Sequence, residues 1–289
     1  MTGQLAIRDQ KKAIHSAITD ERWVNALAKT RGDSASAERY ALVAYRAAEA
    51  NPFLYKCSPK SWQFAIADAA RFGLEPSGVL GHGYLVPRRN KGEWEVQFQP
   101  GYLGLAELAY RSGKVRAITC DHVFKGEHFE HGVRNGEPFL NHTPGAERLP
   151  AVGAPAKGVA HVYAIVLLAQ GGFIPRVLSV YEVQAIRATA KDANGGREGP
   201  AWRKHWAAMA YKSALIRALK MAPKSIEMRS ALTRSEGAET GIDPTDGVVL
   251  LDEEPPQEPE QVTLPDGDMS DEEKQAIEAE EHRRAMDGV

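Results

Sequence analysis

The 289-residue sequence predicts an α+β fold: antiparallel β-sheet and hairpins packed by helices, with a helical N-terminal segment and a disordered acidic C-terminal tail. Three observations predict it. Apolar residues recur at helical spacing towards both ends of the first 235 residues, while the middle switches to strand-like alternation broken by turn signals. Beyond Glu236 the chain carries five prolines and a large acid surplus, and no Phe, Tyr or Trp follows Tyr211.

The elements follow in order. Residues 1–33 read as polar helix with sparse anchors at Ile7, Ile14, Ile18 and Leu27. A firmer helix spans about Ala35 to Ala50, where Tyr40, Val43, Ala44 and Ala47 share one face; Asn51-Pro52 ends it. Ser58 caps the next helix and Pro59 suits its first position; Trp62, Ala65, Ile66 and Ala69 form its stripe, and Gly73 stops it. Gly83 to Pro87 and Glu93 to Gln99 read as a hairpin across Arg89-Asn90-Lys91-Gly92. A short helix is expected from Tyr102 to Arg111, then strands at Val115–Phe124, His128–His131 and Phe139–His142, with turns at Lys125-Gly126 and Asn135-Gly136. Residues 143–157 read as loop. Val159–Ala169 and Phe173–Leu178 form another hairpin, and Ser179-Val180-Tyr181-Glu182 is a capping box that starts a helix. After a polar loop, KDANGGREG, the longest helix is expected from Pro200 to Met221, ended by Pro223. The domains so drawn are a helical segment 1–50 suited to oligomer contacts, a core 51–235, and an acidic linker 236–289. That linker carries a second capping box, Ser270 with Glu273, before a short helix reaching about Met286.

Charge is segregated. Residues 236–289 hold 18 acidic and 3 basic side chains, a balance of −15, whereas residues 1–235 hold 33 basic and 20 acidic, a balance of +13. A basic body is the footprint of a polyanion binder, and a tethered acidic tail competes with that polyanion or docks a partner. No apolar run is long enough to span a membrane and the N-terminus lacks a secretory signal, so a cytoplasmic location is expected. Cys57 and Cys120 are too few for a disulfide scaffold and fit a reducing compartment.

Enzymatic chemistries find little footing. The phosphate-cradling G-x-x-x-x-G-K-[ST] loop is absent, and Gly195-Gly196-Arg197-Glu198-Gly199 lacks its lysine and hydroxyl. His128 and His131, three apart on a strand, face opposite sides and do not chelate one ion. Asp121 and Glu127 lack the lysine that completes a common nuclease pattern, and no G-x-S-x-G nucleophile elbow occurs.

Basic residues, by contrast, cluster. Arg88, Arg89 and Lys91 sit at a hairpin tip, and Arg111, Lys114 and Arg116 surround a helix-to-strand junction. Lys204, Lys212, Arg217, Lys220 and Lys224 run along the last long helix, where their spacing predicts a basic stripe beside the apolar one. Tyr84, Trp94, Phe98 and Tyr102 lie near the first two clusters. Such rings either stack on unpaired bases without regard to sequence or simply pack the core.

Several motifs in order resemble the RecT family of phage and prophage single-strand annealing recombinases, relatives of the Red beta group. They are Pro59-Lys60-Ser61, Ala69 to Pro76 (AARFGLEP), Leu80 to Pro87 (LGHGYLVP), Gln99 to Leu105 (QPGYLGL), Ala109 to Gly113 (AYRSG), Ser179 to Arg187 (SVYEVQAIR) and Pro200 to Lys220. The resemblance covers about residues 50–225. Leu103 and Tyr110 depart from it where the family has arginines, and Tyr211-Lys212-Ser213 stands where two lysines and a threonine are usual; Arg111, Lys212 and Arg217 match.

The resemblance implies an ATP-independent protein that is not an enzyme. It binds single-stranded DNA and the annealed duplex intermediate, assembles into rings or helical filaments, and anneals complementary strands in phage-type homologous recombination. The implied partners are a phage exonuclease and the host single-strand-binding protein. No cofactor is expected, Mg²⁺ assisting annealing without a dedicated protein site. The candidate nucleic-acid-binding residues are Lys60, Arg88, Arg89, Lys91, Tyr102, Arg111, Lys114, Arg116, Arg187, Lys191, Lys204, Lys212 and Arg217. Two alternatives stay open: a protein that protects single strands without annealing them, and a metal-dependent nuclease.

Overall fold

The computed structural model describes residues 2–31, 34–90, 92–146, 158–193, 196 and 198–240. Lys91, residues 147–157, and the acidic tail from residue 241 onwards, with its expected last helix, lie outside the described residues.

The N-terminal helices α1 (Thr2–Thr19), α2 (Glu21–Arg31) and α3 (Ser34–Ala50) pack on α4 (Pro59–Phe72). Ile14, Ile18, Leu27 and Ala44 are buried in the same continuous core as Trp62 and Leu219, so the first fifty residues share the core of the rest. Helix α4 starts as its sequence dictates. Pro59 occupies the first turn, the Ser61 N–H donates to Ser58 Oγ, and Gly73 closes the helix at φ 62°. Its start is stitched to the first hairpin, β1 (Gly83–Asn90) and β2 (Glu93–Pro100): the Ser58 N–H donates to the Trp94 carbonyl and the Val96 N–H to Ser61 Oγ, both at 2.9 Å. Phe98 is wholly buried, and Trp94 packs edge-on against Phe53 at 4.6 Å, which settles both rings as packing elements.

Helix α5 (Tyr102–Arg111) lies unusually close to the backbone before β1. A Cβ on Gly101 would sit 2.1 Å from the Gly81 carbonyl oxygen, and one on Gly104 2.0 Å from that of His82. The Gly101 N–H donates to the His82 carbonyl at 2.9 Å. The G-Y-L-G spacing is therefore a close-packing device.

Three strands form the main antiparallel sheet: β3 (Val115–Phe124), β6 (Val159–Leu168) and β7 (Phe173–Ser179), with β6 in the middle. A second hairpin, β4 (His128–Arg134) with β5 (Glu137–Thr143), is inserted between β3 and β6 and turns at Asn135-Gly136, both at positive φ. Glu127 secures it by accepting from the Phe124 and Gly145 N–H groups, each at 2.8 Å, and from His142 Nε2 at 3.1 Å. His142 Nδ1 then accepts from the Tyr163 hydroxyl at 3.1 Å, so this carboxylate is engaged in structure.

The Ser179–Glu182 capping box forms as read and opens α6 (Val180–Ala193): the Ser179 N–H donates to Glu182 at 2.8 Å and the Glu182 N–H returns to Ser179 Oγ at 3.2 Å. The long helix expected over Pro200–Met221 is instead two, α7 (Pro200–Lys204) and α8 (Trp206–Met221), broken at His205 between the buried indoles Trp202 and Trp206. Helix α8 lies against the sheet and buries Ala210, Ala214, Leu215, Ile216 and Leu219. One α-helix among the described residues was not foreseen. Helix α9 (Ile226–Thr240) follows Pro223, with Met228, Ala231 and Leu232 in the core, and carries helix past the expected boundary at residue 235. No described helix is long and apolar enough to cross a membrane.

The tight seat of α5 makes a direct prediction. Gly104→Ala forces the His82 carbonyl aside and lowers unfolding stability by roughly 1–3 kcal/mol, as overpacking does. Urea denaturation measures it. Gly113→Ser, where a Cβ meets open space, costs only the strain of its positive φ and serves as the comparison.

Candidate nucleic-acid interface

Four elements converge on one polar recess. Strand β1 brings Tyr84 and Arg88 to the same face, since they lie four apart on a strand. Helix α5 brings Tyr102 on its first turn, β3 brings Cys120 and His122, and α8 brings Tyr211 and Lys212. Tyr102 packs edge-on against Tyr211 with centroids 6.3 Å apart. Tyr211 also stacks on His122, and its hydroxyl lies 2.5 Å from His122 Nδ1. Tyr84 stands beside Tyr102 and is 46% exposed.

The electrostatics of this recess are unusual. Lys212 is only 6% exposed, and loss of hydration pulls its pKa down from 10.5 to about 8. Glu239 acts in the opposite direction, while the neighbouring Arg88 guanidinium lowers the pKa further. Arg88 is itself desolvated, which weakens its hold on its proton. Its cross-strand neighbour Glu95 accepts from the Asn90 side-chain amide instead. Glu239 has both oxygens committed elsewhere, one to Ser213 Oγ at 2.6 Å and the other to Arg217 at 3.1 Å. Glu239 thus serves both Lys212 and Arg217, Glu182 acts on Arg217 as well, and Arg88 stands beside Lys212 as a second desolvated cation. Such a recess favours an anion with several acceptor oxygens, such as a phosphodiester. Cys120 adds no nucleophile, because burial and the adjacent Asp121 push its thiol up to about 12.

The other sequence-derived candidates are distributed differently. The expected exposed basic stripe on the last long helix does not exist in that form. Lys212 is buried, Arg217 is held by Glu239, and Lys220 pairs with Glu236. The helical period identified which residues share a face, but α9, unforeseen, covers that face. Arg111 donates to the Phe72 and Gly73 carbonyls at 3.0 and 3.1 Å and to Glu107, so its guanidinium caps the C-terminus of α4. Arg187 is engaged by Glu198 and Gln184. Arg89 is exposed, with its Nε on the Gly92 carbonyl, and Lys60 lies over the Phe64 ring. Lys114, Arg116, Lys191 and Lys204 are exposed. Sequence reasoning missed Ser213 and Glu239. Their signal was the apolar spacing of Met228, Ala231 and Leu232, which extends a helix into the acidic region.

The two residues that stand in place of family arginines have structural occupations. Leu103 packs against Gly81, and the Tyr110 hydroxyl accepts from the Ile118 N–H at 3.0 Å. Comparison with known proteins agrees with the motifs. The RecT family model matches residues 38–248. Protein RecT of Escherichia coli (strain K12) is 35% identical over 222 residues, covering 75% of this chain and 78% of that protein. The uncharacterized protein YqaK of Bacillus subtilis (strain 168) is 27% identical over 208 residues, covering 70% of this chain and 66% of that protein.

The buried lysine predicts a pH-dependent stability. Its folded pKa lies below its unfolded one, so the cost of the buried charge is fully present below about pH 8 and is relieved as pH rises towards 10.5. Lys212→Met is expected to stabilise the free protein at pH 7 by as much as about 3 kcal/mol. That advantage shrinks between pH 8 and 10.5. Denaturant titrations of both proteins across this range measure the gap, and a gap that widens with pH contradicts the assignment.

Proposed function

The chain belongs to the RecT family, and we propose that it binds single-stranded DNA and anneals complementary strands without ATP. The observation that supports this reading is a pair of desolvated cations, Arg88 and Lys212, lying side by side next to the Glu239–Ser213–Arg217 contacts, with the exposed Tyr84 on the face of β1 that carries Arg88.

The physical logic is that of bringing two polyanions together. Each seated phosphate releases counterions, so binding is tight at low salt and weakens as salt rises. Contacts to the backbone carry no sequence information and leave the Watson–Crick edges free to pair. Tyr84 offers a ring face on which any base stacks, worth about 1–3 kcal/mol. Exposed Arg89, Lys114, Arg116, Lys191 and Lys204 extend the positive surface. Pairing makes and breaks no covalent bond, so this activity calls on no catalytic acid, base or nucleophile. A homo-oligomer, ring or filament, multiplies weak contacts along a strand. An exonuclease that exposes the strand and a single-strand-binding protein that coats it are the fitting partners, and the cytoplasm the fitting compartment.

Annealing of two complementary fluorescent oligonucleotides tests the reading. The protein is expected to accelerate pairing equally with and without ATP; a strict ATP requirement would sink the proposal. Arg88→Ala is expected to weaken single-strand affinity about tenfold and to flatten the salt slope by about 0.7, one phosphate contact's worth. Wild-type affinity should also decline as pH passes about 8, where Lys212 loses its proton, and Lys212→Met should abolish that inflection. Tight binding without accelerated pairing would leave only protection of single strands.

A further inference from the structure

The last turn of α9 carries acidic residues where a helix disfavours them. Glu236 and Glu239 sit at the negative end of the helix dipole, and that turn holds no basic residue. They are sustained from outside the helix. Glu236 pairs with Lys220 of α8, and Glu239 accepts from Ser213 and Arg217 of α8 beside Lys212.

The rest of α9 is held by other means. Met228, Ala231 and Leu232 are buried in the core, and Arg234 pairs with Asp68 of α4 at 2.7 Å. The helix therefore divides at about Ser235 into an apolar anchor and a terminal turn that meets α8 through the polar contacts of Glu236 and Glu239. Helix ends open at lower free energy than interiors, and this one opens without exposing the apolar anchor.

We propose that the last turn of α9 is a built-in occupant of a phosphate-binding face formed by Lys212, Arg217 and Lys220, and that a single-stranded DNA backbone displaces it. This rests on the reading that the chain binds single-stranded DNA. The two carboxylates, at i and i+3, stand on one side of the helix, as consecutive anionic groups along a strand would. Both Glu239 oxygens are taken by Ser213 and Arg217, so Lys212 receives only its through-space attraction, while Glu236 serves Lys220 and Glu182 of α6 also acts on Arg217. A phosphodiester strand brings more charge and more acceptor oxygens to the same cations. The helix terminus loses little when it lets go, since its acidic residues then leave an unfavourable dipole end. The exchange sets a threshold: short or weakly charged ligands fail to open the face, whereas a long strand does so and gains two or three cations.

Hydrogen exchange on the full chain, with and without saturating oligothymidine, tests this. The amides of residues 236–240 are expected to lose protection on binding while those of residues 228–234 keep theirs. The double variant E236Q/E239Q is expected to bind oligothymidine roughly fivefold more tightly at low salt, with a salt slope steeper by about 0.7 for each cation freed. If wild-type protein binds the oligonucleotide but residues 236–240 keep or gain protection, the displacement is overturned and the proposed function stands. If wild-type protein does not bind oligothymidine, both fall together. Should the variant fold poorly, the exchange pattern of the wild-type protein still decides.

Discussion

A lysine ammonium held out of water beside a guanidinium is the interaction on which the arrangement around α8 turns. Desolvation lowers the Lys212 pKa to about 8, and Glu239, reaching it from α9, acts against that loss of charge. The continuation of α9 beyond its apolar anchor is what brings this carboxylate to α8. Ser213 and Arg217, one and five residues further along α8, fix the same carboxylate and so fix the end of α9. The cation is thereby placed at a junction of β1, α8 and α9, with Tyr102 and Tyr211 at its edge.

Much of this was legible in the sequence. Ser58-Pro59 and the Ser179–Glu182 box set helix starts through backbone bonds that depend on a few adjacent residues, and both form as read. The hairpins were readable because alternation and Gly or Asn turns are local too. What escaped was whatever tertiary packing decides. Helix α9 was hidden because its acid surplus and lack of aromatics resemble a linker, while its three core residues matter only once α4, α5 and α6 are there to receive them. Likewise the spacing of Lys212, Arg217 and Lys220 predicts a common face on α8, but only the neighbour on that face decides whether it meets solvent. The break at His205 carries no Gly or Pro that would have announced it.

The family motifs divide by physical role. Gly101 and Gly104 permit a backbone approach that any side chain would block, and Arg111 terminates α4. These residues build the frame. Where Leu103 and Tyr110 replace expected arginines, each finds a packing or hydrogen-bonding partner, so two charges leave the surface of α5 without damage to the fold. Arg88 and Lys212 add desolvated charge to that of the exposed Lys114 and Arg116 just beyond α5. Desolvated charge has a property that exposed arginines lack: its interaction with any counter-charge is less screened by water and salt.

Under the proposed function, the recess also couples stability to binding. The free protein bears the unfavourable free energy of a desolvated ammonium, about 3 kcal/mol on the scale of its pKa shift. A phosphate seated against Lys212 and Arg88 restores the proton's stability and removes much of that cost. Part of the binding free energy therefore comes from relief of an internal penalty rather than from new contact area. Such a site discriminates by charge and not by base, which suits a protein that must hold any sequence.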